Sequence, residues 1–464
     1  MAETDWISAA EAARRLGIKQ ATLYSYVSRG VLTRRRASAT GTGTGGGSGG
    51  SGGRGSRGGG PGHGSLFDPG EVEELARRGR PRRAPGLAGL VIESGVTEIT
   101  DDGLWFRGMD ALDLARDWDF EDVCDLLWLG QPHPSSAADA GEWQAGRAAV
   151  AAGTAAQAAL PPGTYPLERL QVIVPALAAA DPLRLQFDPP AVAAAGRAII
   201  AGLVDCLPPA RPAAPAAPGR PAALAAPAAL AGPGAPAGPG IPARLWPRLC
   251  PGEPQSRLLD VLRAALVLLA DHELAASTLA ARVAASVRAD PYAVVATGLG
   301  AVGGALHGGA SLGAETMLAA APDAAAVPRV VGELLRRGER VPGFGHFVYR
   351  GGDPRAGLLL AMVRRAVPAS PRLAVVDAVL AEMHRRSLPE PNIDFALAVL
   401  ASCAGMIRGA GEAIFAVART AGWLAHAMEE YTASTPRRPR AVYTGPAHRQ
   451  ADHGQTQRPG SLRD

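Results

Sequence analysis

Three histidines and one aspartate sit in short motifs whose residue types suit proton chemistry. His346 lies in the stretch 342–355, PGFGHFVYRGGDPR, among glycines that let the backbone turn tightly and approach a ligand, with Arg355 nine residues on. The competing reading is a plain surface turn. His307 lies in 305–315, ALHGGASLGAE, between a glycine-rich apolar run and a second glycine pair. Asp394, in EPNIDF, opens the apolar run 395–401. A carboxylate against low-dielectric surroundings has its pKa raised toward the range of a general base, although a helix N-cap is the simpler role. His272, in Asp271-His272-Glu273, stands at a helix end, where a histidine ordinarily satisfies terminal carbonyls.

Taken together and in this order, His-Gly-Gly, Gly-Phe-Gly-His and Pro-Asn-Ile-Asp resemble the citrate synthase family. The resemblance covers about residues 86–446 and implies a mainly α-helical enzyme with a large and a small domain. It implies Asp394 as base on the methyl group of an acyl thioester. His307 would hold the thioester oxygen, and His346 would donate to the ketone oxygen of the acceptor. It further implies His272, Arg355, Arg419 and Arg438 as holders of the substrate carboxylates, and Gly345 and Arg350 as acyl-CoA contacts. Each arginine alone reads as a solvated surface charge; the motif positions lift them, because guanidinium forks suit carboxylates. Ala275 departs from the family pattern where many relatives carry Asn, and Phe347 where relatives often carry Arg.

The activity so implied is an acyltransferase reaction of oxaloacetate with acetyl-CoA and water to give citrate and CoA. No metal and no cofactor beyond the acetyl-CoA co-substrate is expected. A 2-methylcitrate synthase using propionyl-CoA is the near alternative, since one methylene changes discrimination only modestly. A DNA-binding regulator sensing metabolites through such a domain is the alternative of a different class. The resemblance also implies a homodimer in which Arg438 acts across the interface.

The elements that must position these groups are helical, with apolar residues three and four apart in 168–180, 258–270 and 395–408. One hairpin is expected, VIESGVTEI and LWFRG around Asp101-Asp102-Gly103. Within 208–242, 11 prolines in 35 residues exclude regular structure, so a disordered insertion is expected there. The expected large domain is 84–307 with 417–446, the small domain 308–416, and 447–464 a disordered tail.

Residues 6–36 resemble the small MerR-like winged helix-turn-helix modules, and 1–83 is the module expected from this. Ser8 with Glu11 forms a capping-box pattern, 9–16 and 21–29 read as helices around Gly17, and a short helix starts at Asp68. Residues 41–64, with fifteen glycines among 24 residues, read as an overgrown wing. Seven Lys or Arg against three Asp or Glu in 1–36 point to weak, salt-dependent DNA binding.

With 464 residues and 47% hydrophobic content the chain can bury a large core, and a net charge of +4 makes it no polycation. Cys124, Cys206, Cys250 and Cys403 show no close pair, which argues against a disulfide framework or zinc site and suits a cytoplasmic setting. The most apolar helix expected, 261–270, is too short to cross a membrane.

Overall fold

The computed structural model describes residues 6–16, 32–36, 65–73, 92–100, 103–131, 143–210, 239–349, 351–433, 435–439, 441 and 443–445. Two units emerge, Met1–Ile92 with Arg438–Asp464, and Glu93–Arg437.

In the first unit, β1 (Ile7–Ser8), β2 (Arg34–Arg36) and β3 (Ser65–Phe67) form an antiparallel sheet of order β1-β3-β2, and the helix α1 (Ala9–Leu16) follows β1. Ile7 faces Phe67 and Arg35 faces Leu66 in register. Ala12, Leu32, Phe67 and Val72 make its core. Only half of the expected capping box forms. Ser8 Oγ accepts from the Glu11 N–H at 3.2 Å, but the Glu11 carboxylate turns to Arg14 and Arg15, whose charged donors outbid a neutral amide. Asp68 Oδ1 accepts from Gly70 and Glu71 as a helix start requires. The expected helix 21–29 and the glycine run 41–64 lie outside the described residues.

The second unit opens with β4 (Thr97–Ile99), β5 (Leu104–Phe106) and β6 (Met109–Asp110), an antiparallel sheet in that order. The expected hairpin is β4-β5, closed where the Thr100 N–H reaches Gly103 O at 3.1 Å. It is not the only strand pairing: β6 and the first sheet add to it, in strands of two or three residues too short to show alternation in sequence.

Helices then follow: α2 (Ala111–Asp117), α3 (Phe120–Leu129), α4 (Arg147–Ala158), α5 (Pro166–Ala179), α6 (Pro189–Cys206), α7 (Ile241–Leu249), α8 (Ser256–Leu269), α9 (Ala276–Ser286), α10 (Pro291–Val302), α11 (Gly309–Ala320), α12 (Val327–Arg336), α13 (Pro354–Ala366), α14 (Arg372–Arg385), α15 (Ile393–Ala404) and α16 (Ala410–Thr432). Three expectations are corrected. The proline-rich stretch yields to α7 at Ile241, because Pro242 sits in a first turn, where no N–H is needed. Helix α15 ends at Gly405, left-handed at φ +68°, short of residue 408. The most apolar helix expected, 261–270, is too short for a membrane, but among the described residues α6 is both longer and apolar enough. By length and composition α6 passes as a membrane span, but it is mostly buried in the core, where Arg197 pairs with Asp125 at 2.9 Å.

Helix α16, 23 residues long and buried almost throughout, is the axis on which α3, α5, α6, α8, α9 and α10 pack. Glycine lets it approach: the Gly422 N–H donates to Ala270 O at 2.9 Å, and a side chain there would collide with Asp271. That contact seats the end of α8, and the Asp271-His272-Glu273 turn after it, against α16.

Candidate active site

The loop 341–349 is shaped by Gly343 and Gly345. Gly343 and Gly345 have φ of +81° and +80°, and a Cβ on Gly343 would lie 2.9 Å from Phe395 Cα, so only glycine allows the loop to rest on the start of α15. Backbone bonds stitch the two stretches together: Gly345 N–H to Glu390 O at 2.8 Å, and Asn392 N–H to Gly343 O at 2.9 Å. Asn392 Nδ2 also donates to Gly345 O at 2.8 Å. The histidine motif and the aspartate motif, well separated in sequence, thereby become one surface.

Within it, Asn392 is the cap of α15, accepting from the Asp394 and Phe395 N–H groups. The capping role weighed for Asp394 is therefore filled by its neighbour two residues earlier. Asp394 is left to receive the Ser311 hydroxyl from α11, at 2.6 Å on Oδ1. The residue is half-buried while its carboxyl end is enclosed, and burial raises its pKa to about 6 against the opposing pull of Ser311 and Arg355.

Two backbone amides, those of Val348 and Tyr349, donate to His346 Nδ1 at 3.0 and 3.3 Å. Nδ1 must then be unprotonated, so the neutral ring carries its proton on Nε2. Burial, then the charge of Arg355, lowers the pKa of His346 to about 4 and keeps the ring neutral. His272, 8% exposed at the end of α8, meets the Tyr349 hydroxyl at 3.1 Å, and its ring stands edge-on to His346 at 5.2 Å. Burial and the charges of Arg355 and Arg419 hold its pKa far below the usual imidazole value. His307 bonds Ser277 Oγ at 2.8 Å, and its ring lies edge-on to Phe415 at 5.5 Å. Burial, then Arg419, lowers its pKa to about 4.

The two arginines are buried, not solvated: Arg355 is 2% and Arg419 1% exposed. Asp353 caps α13 and grips Arg355 at 2.9 and 2.8 Å, while its Oδ2 accepts the Ile393 N–H at 3.0 Å, tying α13 to α15. Burial raises the pKa of Asp353, but the guanidinium more than offsets this and holds it below the usual range. Arg419 donates through Nε to Leu269 O at 2.8 Å and lies 4.6 Å over the Phe415 ring, while its Nη1 is buried without a partner among the described residues. Burial lowers its pKa to about 10. A buried cation with an unmet donor is a seat for an anion.

The structure thus gathers His272, His307, His346, Arg355, Arg419 and Asp394 in one place, with Gly345 in the loop beside them. Arg350 lies outside the described residues. Arg438 is exposed and belongs to the first unit. Sequence reasoning missed Ser277, Ser311, Tyr349 and Asp353. The DPR turn signalled Asp353, whereas no local pattern marks the two serines. Among the described residues no cluster of side chains suits a metal ion.

Against known proteins, residues 86–440 match the family described as citrate synthase, C-terminal domain. Citrate synthase 2 of Bacillus subtilis (strain 168) is 38% identical over 201 residues, 42% of this chain and 53% of that protein, so the chain spans about half the length of this relative. A 2-methylcitrate synthase of Mycobacterium tuberculosis (strain ATCC 25618 / H37Rv) is 30% identical over 375 residues, 79% of this chain and 91% of the relative. A solved ternary complex of citrate synthase from Thermoplasma acidophilum with carboxymethyl coenzyme A and oxaloacetate has a TM-score of 0.63 at 23% identity, covering 78% of this chain and 95% of that one. At that identity the likeness speaks for the fold.

Proposed function

Because this chain belongs to the citrate synthase family, we propose that it condenses an acyl-CoA with oxaloacetate and releases CoA, with acetyl-CoA as the acyl donor. The observation that carries this reading is the enclosed carboxylate of Asp394, raised to about 6, beside two neutral histidines and two buried arginines. Ser311 occupies Oδ1 of Asp394, which leaves Oδ2 to take a proton from the thioester methyl group. His307 donates to the thioester oxygen as enol character develops, and His346 donates through Nε2 to the ketone oxygen as the carbon–carbon bond forms. Neutral imidazoles suit both tasks, since each must hold an oxygen without surrendering its proton to bulk water. Arg355, Arg419 and His272 hold the diacid; Gly345 and Arg350 serve the acyl-CoA. Water then hydrolyses the thioester. No cofactor beyond the acyl-CoA enters this scheme.

One relative that spans 79% of this chain is a 2-methylcitrate synthase, which supports propionyl-CoA as a second donor. Thiol release from acetyl-CoA and propionyl-CoA, each with and without oxaloacetate, tests both. Release that does not depend on oxaloacetate would rule out condensation.

The smaller lobe, about 308–416, would close on the bound diacid, and a cytoplasmic homodimer with Arg438 reaching the neighbouring site completes the reading. The sheet β1-β3-β2, its helix α1 and the pairing of β2 with β3 across 37–64 support a winged helix-turn-helix module in the first unit. The full chain would then bind duplex DNA weakly with steep salt dependence, and salt-insensitive binding would contradict this.

A further inference from the structure

The indole of Trp423, on α16, lies against Gly298 of α10, where an added methyl group would come within 2.5 Å of its Cδ2. That packing holds the fully buried ring in one orientation. Its Nε1–H, which can only donate, reaches Ser277 Oγ at 3.2 Å. Ser277 therefore accepts from Trp423 and has one hydroxyl proton to give. His307 Nε2 stands 2.8 Å from the same oxygen. Were Nε2 protonated, it too would donate to Oγ, and the Ser277 proton would lose this acceptor in a wholly buried setting, where an unmet donor is costly.

We propose that Trp423 is a positioning residue which, through Ser277, holds His307 in the tautomer that carries its proton on Nδ1. The proposal rests on the reading of His307 as the group that binds the thioester oxygen, and says which nitrogen does so and why. Without the indole donor, Ser277 can accept from Nε2–H instead, and both tautomers become available.

The test is 15N NMR of the full protein labelled at its histidines, read without substrate, with His307→Gln to assign the signals. In the wild type, Nδ1 is expected to be protonated and Nε2 bare. Trp423→Phe keeps an aromatic ring but removes the N–H, and should give mixed tautomers. Thiol-release kcat should fall roughly three- to tenfold, the worth of one neutral hydrogen bond, with KM for oxaloacetate unchanged. Ser277→Ala should mix the tautomers in the same way. An Nε2-protonated His307 in the wild type overturns the proposal, as does a folded Trp423→Phe with wild-type tautomer populations. If Trp423→Phe does not fold, the wild-type signals and Ser277→Ala decide. Because the tautomer is read without turnover, an inactive wild type with the expected signals would sink the catalytic reading alone.

Discussion

Ser311→Ala removes the one hydrogen bond that restrains the pKa of Asp394. Burial pushes this carboxyl up to about 6, and the Ser311 hydroxyl at 2.6 Å is the largest effect pulling it down. A hydrogen bond to a charged group is worth roughly 1.5–3 kcal/mol, and one pKa unit corresponds to about 1.4 kcal/mol; we expect a rise of about one unit, to about 7. The base must be ionised, so activity falls as pH drops through that pKa. At about pH 6.5 the ionised fraction falls from roughly three-quarters to one-quarter, a threefold loss, while at about pH 8.5 the two proteins nearly coincide. The assay is kcat/KM for acetyl-CoA against pH at saturating oxaloacetate. Glu412, buried near Asp394 and raised to about 7 by burial and then by Glu315, titrates in the same range. The comparison is therefore repeated in a Glu412→Gln background. An acid limb that stays put or moves to lower pH in Ser311→Ala would refute the assignment of Asp394 as base.

Asp394→Asn should abolish thiol release while oxaloacetate still binds, as calorimetry can check. It should also stabilise the fold. The raised folded-state pKa means that ionised Asp394 costs stability fully above about pH 6 and not below about pH 4; replacing it gains up to ~3 kcal/mol at neutral pH, a gain that fades on acidification. Denaturant titrations at both pH extremes would show this, and an equal gain at both would contradict it. Gly343→Ala places a Cβ within 2.9 Å of Phe395 Cα at φ +81°, and should cost more than about 1–2 kcal/mol along with most activity; near-wild-type melting and turnover would show that the loop yields. Mixing inactive Arg438→Ala and Asp394→Asn chains should restore roughly a quarter of wild-type activity per site, because one site of each mixed dimer is intact. No recovery in proven mixed dimers would mean that Arg438 does not act across the interface.

The linear motifs already held the chemistry. Glycines 343 and 345 announced a loop that only they could form, the Pro-Asn-Ile-Asp stretch announced a helix start with a carboxylate at its mouth, and apolar spacing announced α5, α8 and α15. Short-range signals of this kind survive in sequence because backbone conformation depends on neighbouring residues. Tertiary structure decided what each group can do. The Ser311–Asp394 bond spans 83 residues and the His272–Tyr349 bond 77, separations that no local pattern encodes. Arg355 and Arg419, surface charges by composition, are buried because Asp353 and the carbonyl of Leu269 meet them inside the fold. Whether Asp394 capped a helix or served as a base depended on Asn392 taking the cap and α11 delivering a serine. Acidity and tautomer are set by burial and by the partner at each ring nitrogen, and both exist only once α9, α11, α15 and α16 have packed together.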